Sequence, residues 1–133
     1  MTDGTILDVS AIADIATRRT IYAGVVLRQA VERGYNVIVP AVAWMEAWAD
    51  AEPAAMPFLE LLRSSPAVSF ADLDEPSAQA TGLLLNPSRA PRDASWGTGH
   101  AVHLARTTGL PVLTADRETV IALDPSVGFR SLP

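Results

Sequence analysis

Short apolar runs alternate with longer amphipathic ones along the whole chain, and this alternation constrains the fold more than any other feature. Residues 5–10, 36–39, 67–71 and 110–114 read as strands, with a weaker terminal strand at 128–131. Between them, residues 11–16, 20–33, 41–51, 54–63, 77–85, 97–107 and 117–123 read as helices. Gly34 stands where a helix stop is expected, and Pro40 closes the second strand. Strands that alternate with helices predict an α/β domain with a mostly parallel sheet. A length of 133 residues suits one such domain. Ligands of these sheets bind beyond the carboxyl ends of the strands. Two strands end there in an aspartate: Asp8 follows Ile6-Leu7, and Asp116 follows Val112-Leu113-Thr114-Ala115.

Composition narrows the chemistry. The chain has 15 acidic residues against 10 arginines and no lysine, a net charge of −5. Lysine-based phosphate cradles and Schiff bases are therefore excluded. The absence of cysteine excludes disulfide scaffolds, thiolate metal sites and cysteine nucleophiles. The acidic balance argues against a surface that coats nucleic acid through many phosphate contacts. It leaves room for a local acidic site that reaches a phosphate through a metal ion. The N-terminal residues lack a signal-peptide pattern, and no run approaches the roughly 18 apolar residues of a membrane span. A cytoplasmic protein without membrane association is expected.

Four acids stand out, each with two readings. Asp8 caps the helix that follows it, in competition with Ser10, or holds a ligand at the sheet rim. Asp116 caps the helix from Arg117 or belongs to the same rim. Glu46 lies in the helix after Pro40 among apolar neighbours; it faces solvent near the helix start or turns toward the acids. Asp93 follows the Pro87–Pro91 stretch and serves as a helix-entry residue or a further acid. Thr114 orients a phosphate or a metal-bound water, or simply fills its strand position.

In order and spacing, Leu7-Asp8-Val9-Ser10, Pro40 with Glu46, and Thr114-Ala115-Asp116 resemble PIN-domain proteins. The stretch Gly99-His100-Ala101-Val102-His103-Leu104-Ala105, followed by Leu110-Pro111-Val112-Leu113-Thr114, resembles VapC-like toxins of that family. The resemblance covers nearly the whole chain. It implies a single PIN-like domain with a parallel central sheet of four to five strands flanked by helices. It further implies a magnesium- or manganese-dependent endoribonuclease, the toxin half of a VapBC-like pair restrained by an antitoxin. On this resemblance Asp8, Glu46 and Asp116 fall on the acidic positions, and Ser10 and Thr114 on hydroxyl positions beside them. The remaining acid normally opens the penultimate helix, where Gly97 and Thr98 stand here, and Asp93 is the nearest carboxylate. Asp8, Asp93 and Asp116 are the expected metal ligands, and Glu46 binds metal or activates water. Asp93 reaches the site only if that helix begins a turn earlier or the loop folds back. Without it, the alternative is a catalytically degenerate domain that binds protein or RNA.

Other residues carry weaker signals. Arg89, Arg92 and Arg117 suit RNA phosphates or solvated surface. Arg18 and Arg19 close a helix or meet an acidic partner. His100 and His103 share a helix face without an obvious third metal ligand, so packing or surface roles are expected. Trp44, Trp48 and Trp96 suit base stacking or a core or interface stripe. The apolar helices 41–51 and 54–63 are compatible with a homodimer.

Overall fold

The computed structural model describes residues 3–88 and 90–133. Its elements are β1 (Gly4–Leu7), α1 (Val9–Thr17), α2 (Tyr22–Arg33), β2 (Asn36–Pro40), α3 (Ala41–Asp50), a 3-10 turn (Pro53–Ala55) and α4 (Met56–Ser64). There follow β3 (Val68–Ala71), α5 (Glu75–Leu84), α6 (Trp96–Thr108), β4 (Val112–Thr114), α7 (Arg117–Leu123) and β5 (Phe129–Ser131). The five strands form one sheet in the order β3-β2-β1-β4-β5, and every pairing is parallel. This is the expected α/β fold with a parallel sheet flanked by helices.

The central strands are apolar on both faces, as a sheet covered by helices on both sides requires. Alternation then sends neighbouring residues to opposite layers. Leu7 and Leu113 join Ile12, Val37, Val39, Leu59 and Leu62 in one buried cluster. Ile6 and Val112 join Val102, Val120 and Val127 in the other. Gly34 ends α2 in the left-handed conformation (φ 74°), where it satisfies the last turn by donating to the Ala30 carbonyl.

The first strand is shorter than expected. It stops at Leu7, and Val9 and Ser10 already belong to the first turn of α1. The Asp8 side chain accepts the Ala11 N–H and nucleates the helix there, which removes the following residues from the ladder.

From β1 the chain runs outward through β2 to β3, then crosses back to β4 and β5 on the other side of β1. The direction of winding therefore reverses between β1 and β4. A crevice opens at the carboxyl ends of such a pair. Leu7 and Thr114 are the last residues of these two strands, so Asp8 and Asp116 leave the sheet at that crevice. Among the described residues, no helix is long and apolar enough to cross a membrane.

Candidate active site

Asp8 is completely buried. Its Oδ1 accepts the Ser10 hydroxyl at 2.6 Å and the Ala11 N–H at 2.9 Å. Its Oδ2 is buried with no hydrogen-bond partner among the described residues. Burial pushes the Asp8 carboxyl above its ordinary range. The hydroxyls of Ser10 and Thr114 and the Ala11 N–H pull in the opposite direction, and the nearby Asp116 adds to the rise. The Thr114 hydroxyl acts on this carboxylate from close by without closing a hydrogen bond to Oδ2.

Ser10 and Thr114 tie the two strand ends together. The single Ser10 hydroxyl proton goes to Asp8, so Ser10 is the acceptor in its 3.4 Å contact with the Thr114 hydroxyl. Ser10 also accepts the Ala115 N–H at 2.8 Å, and Thr114 accepts the Asp116 N–H at 2.8 Å. Position 10 thus bridges to the loop after β4. Asp116 is exposed and caps α7, accepting the Thr119 N–H at 3.3 Å and the Thr119 hydroxyl at 2.6 Å. Each of the two aspartates is both a helix cap and a rim carboxylate.

Glu46 is half-buried on α3 and points toward α6. Its Oε1 accepts the Gly97 N–H at 2.7 Å, which satisfies one of the unpaired donors in the first turn of α6. Gly97 is required there by contact. A Cβ on it would collide with the Val9 side chain and would lie 2.6 Å from the Ala43 Cα. Thr98, its neighbour, is buried and bonds through its hydroxyl to Ser95, the N-cap of α6. These contacts explain why no carboxylate opens this helix: Gly97 has no space for one, and Thr98 is absorbed by the cap.

The structure does not bring Asp93 into the group. The penultimate helix begins at Trp96, one residue before the expected Gly97 rather than a full turn, because Ser95 caps it. Asp93 is left in an exposed turn ahead of the cap. Among the described residues, no set of three or more His, Asp or Glu side chains is arranged to hold a metal ion. The carboxylates that influence one another at the crevice are Asp8 and Asp116. A hydrated magnesium or manganese ion takes one or two carboxylates and keeps several waters, so the chemistry of two carboxylates is of the right kind for it. The partnerless Asp8 Oδ2 is the donor such an ion would satisfy.

The remaining candidates separate clearly. Arg117 opens α7 beside Asp116 and is exposed, as is Arg92 in the turn before α6; Arg89 lies outside the described residues. Arg18 ends α1 in the left-handed conformation and lies 5.4 Å over the Phe58 ring. Arg19 pairs at 3.4 Å with Asp14, a buried acid that the sequence reading missed. Asp14 also accepts the Thr20 N–H and hydroxyl, so its role is to pin the turn between α1 and α2. His100 is buried in α6, with Nδ1 3.4 Å from the Val42 N–H. Burial holds its pKa below the ordinary value. Trp44 packs edge-on against Trp48 and Phe70, the stripe alternative, whereas Trp96 is 67% exposed.

No family model and no curated protein matches the sequence. Solved structures do match the fold. A DNA-bound VapBC from Salmonella typhimurium aligns over 98% of this chain and 98% of its own, with a TM-score of 0.70 and 16% identity. FitAcB from Neisseria gonorrhoeae aligns over 94% and 95%, with a TM-score of 0.63 and 20% identity. VapC20 from Mycobacterium tuberculosis, a Sarcin-Ricin loop cleaving toxin, aligns over 84% and 88%, with a TM-score of 0.59 and 17% identity. On these alignments the chain, with its parallel five-stranded sheet, has the fold of VapC-like PIN domains.

Proposed function

We propose that this chain is a divalent-metal-dependent endoribonuclease, the toxin component of a VapBC-like toxin–antitoxin pair, hydrolysing RNA phosphodiester bonds. The observation that carries this reading is Asp8. A fully buried carboxylate with one partnerless oxygen, beside a second carboxylate at the switch-point crevice, is costly unless a cation offsets it. Support also comes from the fold, since one neighbour is a Sarcin-Ricin loop cleaving toxin and others are VapBC or FitAB complexes.

Asp8 and Asp116 hold magnesium or manganese in this reading. The ion, when bound, lowers the pKa of water and offsets charge developing on the phosphate. Ser10 and the Ala11 N–H hold Oδ1 of Asp8 on the helix cap, which leaves Oδ2 for the ion. Thr114 holds the backbone that carries Asp116. Glu46 is oriented through its bond to Gly97 and presents its second oxygen to water or metal at the α6 end of the groove. Arg117 and Arg92 receive RNA phosphates. A small antitoxin covers the acidic groove and restrains cleavage.

One observation favours a second reading, a degenerate domain that binds protein or RNA without cutting. It is the closed packing at Gly97 and Thr98, which leaves the opening of α6 without an acid. RNA cleavage separates the two. The nuclease reading expects cleavage with manganese, none with chelator, loss of activity in Asp8→Asn and little change in Asp93→Asn. A pure native chain that never cuts RNA with manganese, under conditions where it is folded, selects the binding domain.

A further inference from the structure

A cavity of about 390 Å³ lies between α5 and the starts of α3 and α6. Its walls include Val42, Leu73, Thr81, Leu85, Asn86 and Trp96. The volume falls within the range of small-ligand sites. None of the lining residues is ionisable, so the cavity suits a neutral group rather than a phosphate. Trp96 contributes an indole that is two-thirds exposed, and no packing role in the fold explains it. The Asn86 amide oxygen accepts the Ser88 N–H at 3.1 Å and the Ser88 hydroxyl at 2.8 Å, which fixes the amide and leaves its NH₂ donors without a partner among the described residues. The Thr81 hydroxyl in the wall is likewise buried without a partner there.

One wall of the cavity and one contact of the candidate active site come from the first turn of α6. Trp96 immediately precedes Gly97, whose N–H holds Glu46. Val42 immediately precedes Ala43, which packs against Gly97. The start of α6 thus carries both the backbone N–H that holds Glu46 and the exposed indole of Trp96. An aromatic face beside fixed amide donors in a neutral cavity matches the chemistry of a nucleobase: a π face for stacking and edge acceptors for hydrogen bonds.

We propose that Trp96 and the adjoining α5–α6 cavity form a base-binding subsite, in which the base of a nucleotide near the scissile phosphate stacks on the indole. The inference rests on the RNA-directed reading above and makes Trp96 a specificity determinant of it.

The test measures anisotropy of a fluorescein-labelled single-stranded RNA in an Asp8→Asn background, where cleavage does not interfere. Trp96→Ala is expected to weaken binding about tenfold, the scale of losing one stacked base, and Trp96→Phe to restore most of it. Gly82→Leu gives an independent perturbation. Gly82 lines the cavity, and a Cβ there meets nothing within 4 Å, so a larger side chain can be introduced at this wall. It is expected to weaken RNA binding while leaving the melting temperature unchanged or higher, since glycine is a poor helix former. In the native background Trp96→Ala is expected to raise KM and leave kcat within about twofold, the mark of lost uniform binding. RNA affinity that stays within twofold in both Trp96→Ala and Gly82→Leu overturns the proposal. So does a change confined to oligomeric state, which makes the cavity a protein interface instead. If RNA binding depends on Trp96 but manganese never yields cleavage, the subsite stands and the nuclease reading fails. If cleavage depends on Asp8 but not on Trp96, the nuclease reading stands and the subsite fails.

Discussion

Asp8→Asn is expected to stabilise the metal-free protein, although it alters a fully buried residue at the centre of the fold. Asparagine keeps the Oδ1 acceptor for the Ser10 hydroxyl and the Ala11 N–H, the bonds now 2.6 and 2.9 Å long. It is also as good an N-cap as aspartate. What changes is the other end of the group, where a charged oxygen without a partner becomes a neutral amide. Leaving a buried polar group unsatisfied costs about 1–3 kcal/mol, and more when it is charged. Removing the charge alone therefore returns about 1–2 kcal/mol at neutral pH. For a chain of this size that is a rise in Tm of about 3–10 °C. The pH dependence has a definite sign. Because burial raises the Asp8 pKa, the folded chain holds this proton more tightly than the unfolded one. The stability from that proton is complete below the ordinary value of 3.8 and is lost as pH rises through the folded value. The advantage of the variant should thus be large at pH 7 and vanish near pH 3.5. The assay is thermal unfolding followed by circular dichroism in chelator across that range. A variant that is less stable than the native chain at pH 7, or a difference that ignores pH, refutes the assignment of an uncompensated charge to Asp8.

Substitutions at three further residues test neighbouring parts of the account. Gly97→Ala should destabilise by about 1–3 kcal/mol in chemical denaturation, because the added methyl meets Val9 and Ala43. Glu46→Gln should keep native stability, since the amide oxygen still accepts the Gly97 N–H, but should lose RNA cleavage. Glu46→Ala should also lose about 1 kcal/mol of stability. His100, held below its ordinary 6.5 by burial, contributes stability that is present above that value and lost as pH falls below it. His100→Asn, which retains an acceptor for the Val42 N–H, should flatten the fall in Tm between pH 6.5 and pH 5.

Strand and helix positions were legible because apolar periodicity is strong in a sheet covered on both faces. The carboxyl edge where Asp8 and Asp116 emerge followed from the same pattern, whereas the strand order, and with it the reversal of winding beside β1, did not. Local competition at the ends of elements was less legible. The run through Ser10 looked like one strand, but a single side-chain cap at Asp8 starts a helix two residues earlier than the apolar pattern suggests. Asp93 looked available because sequence shows proximity along the chain, not where a cap is placed. The Ser95 cap fixes the start of α6 and leaves Asp93 behind it. The bonds from Glu46 to Gly97 and from Ser10 to the β4 loop were invisible for another reason: one partner in each is a backbone N–H, which carries no residue signature. Asp14 escaped notice because its partners, Arg19 and Thr20, read equally well as an ordinary helix end.

The central claim is that the carboxylates ending β1 and β4 take a divalent cation. Manganese titration, followed by loss of the free-ion electron paramagnetic resonance signal, tests it without reliance on any RNA. The account predicts saturable binding of one ion per chain, at least tenfold weaker in Asp8→Asn and in Asp116→Asn and unchanged within twofold in Asp93→Asn. Binding that survives both substitutions at the strand ends, or that disappears only with Asp93, contradicts it.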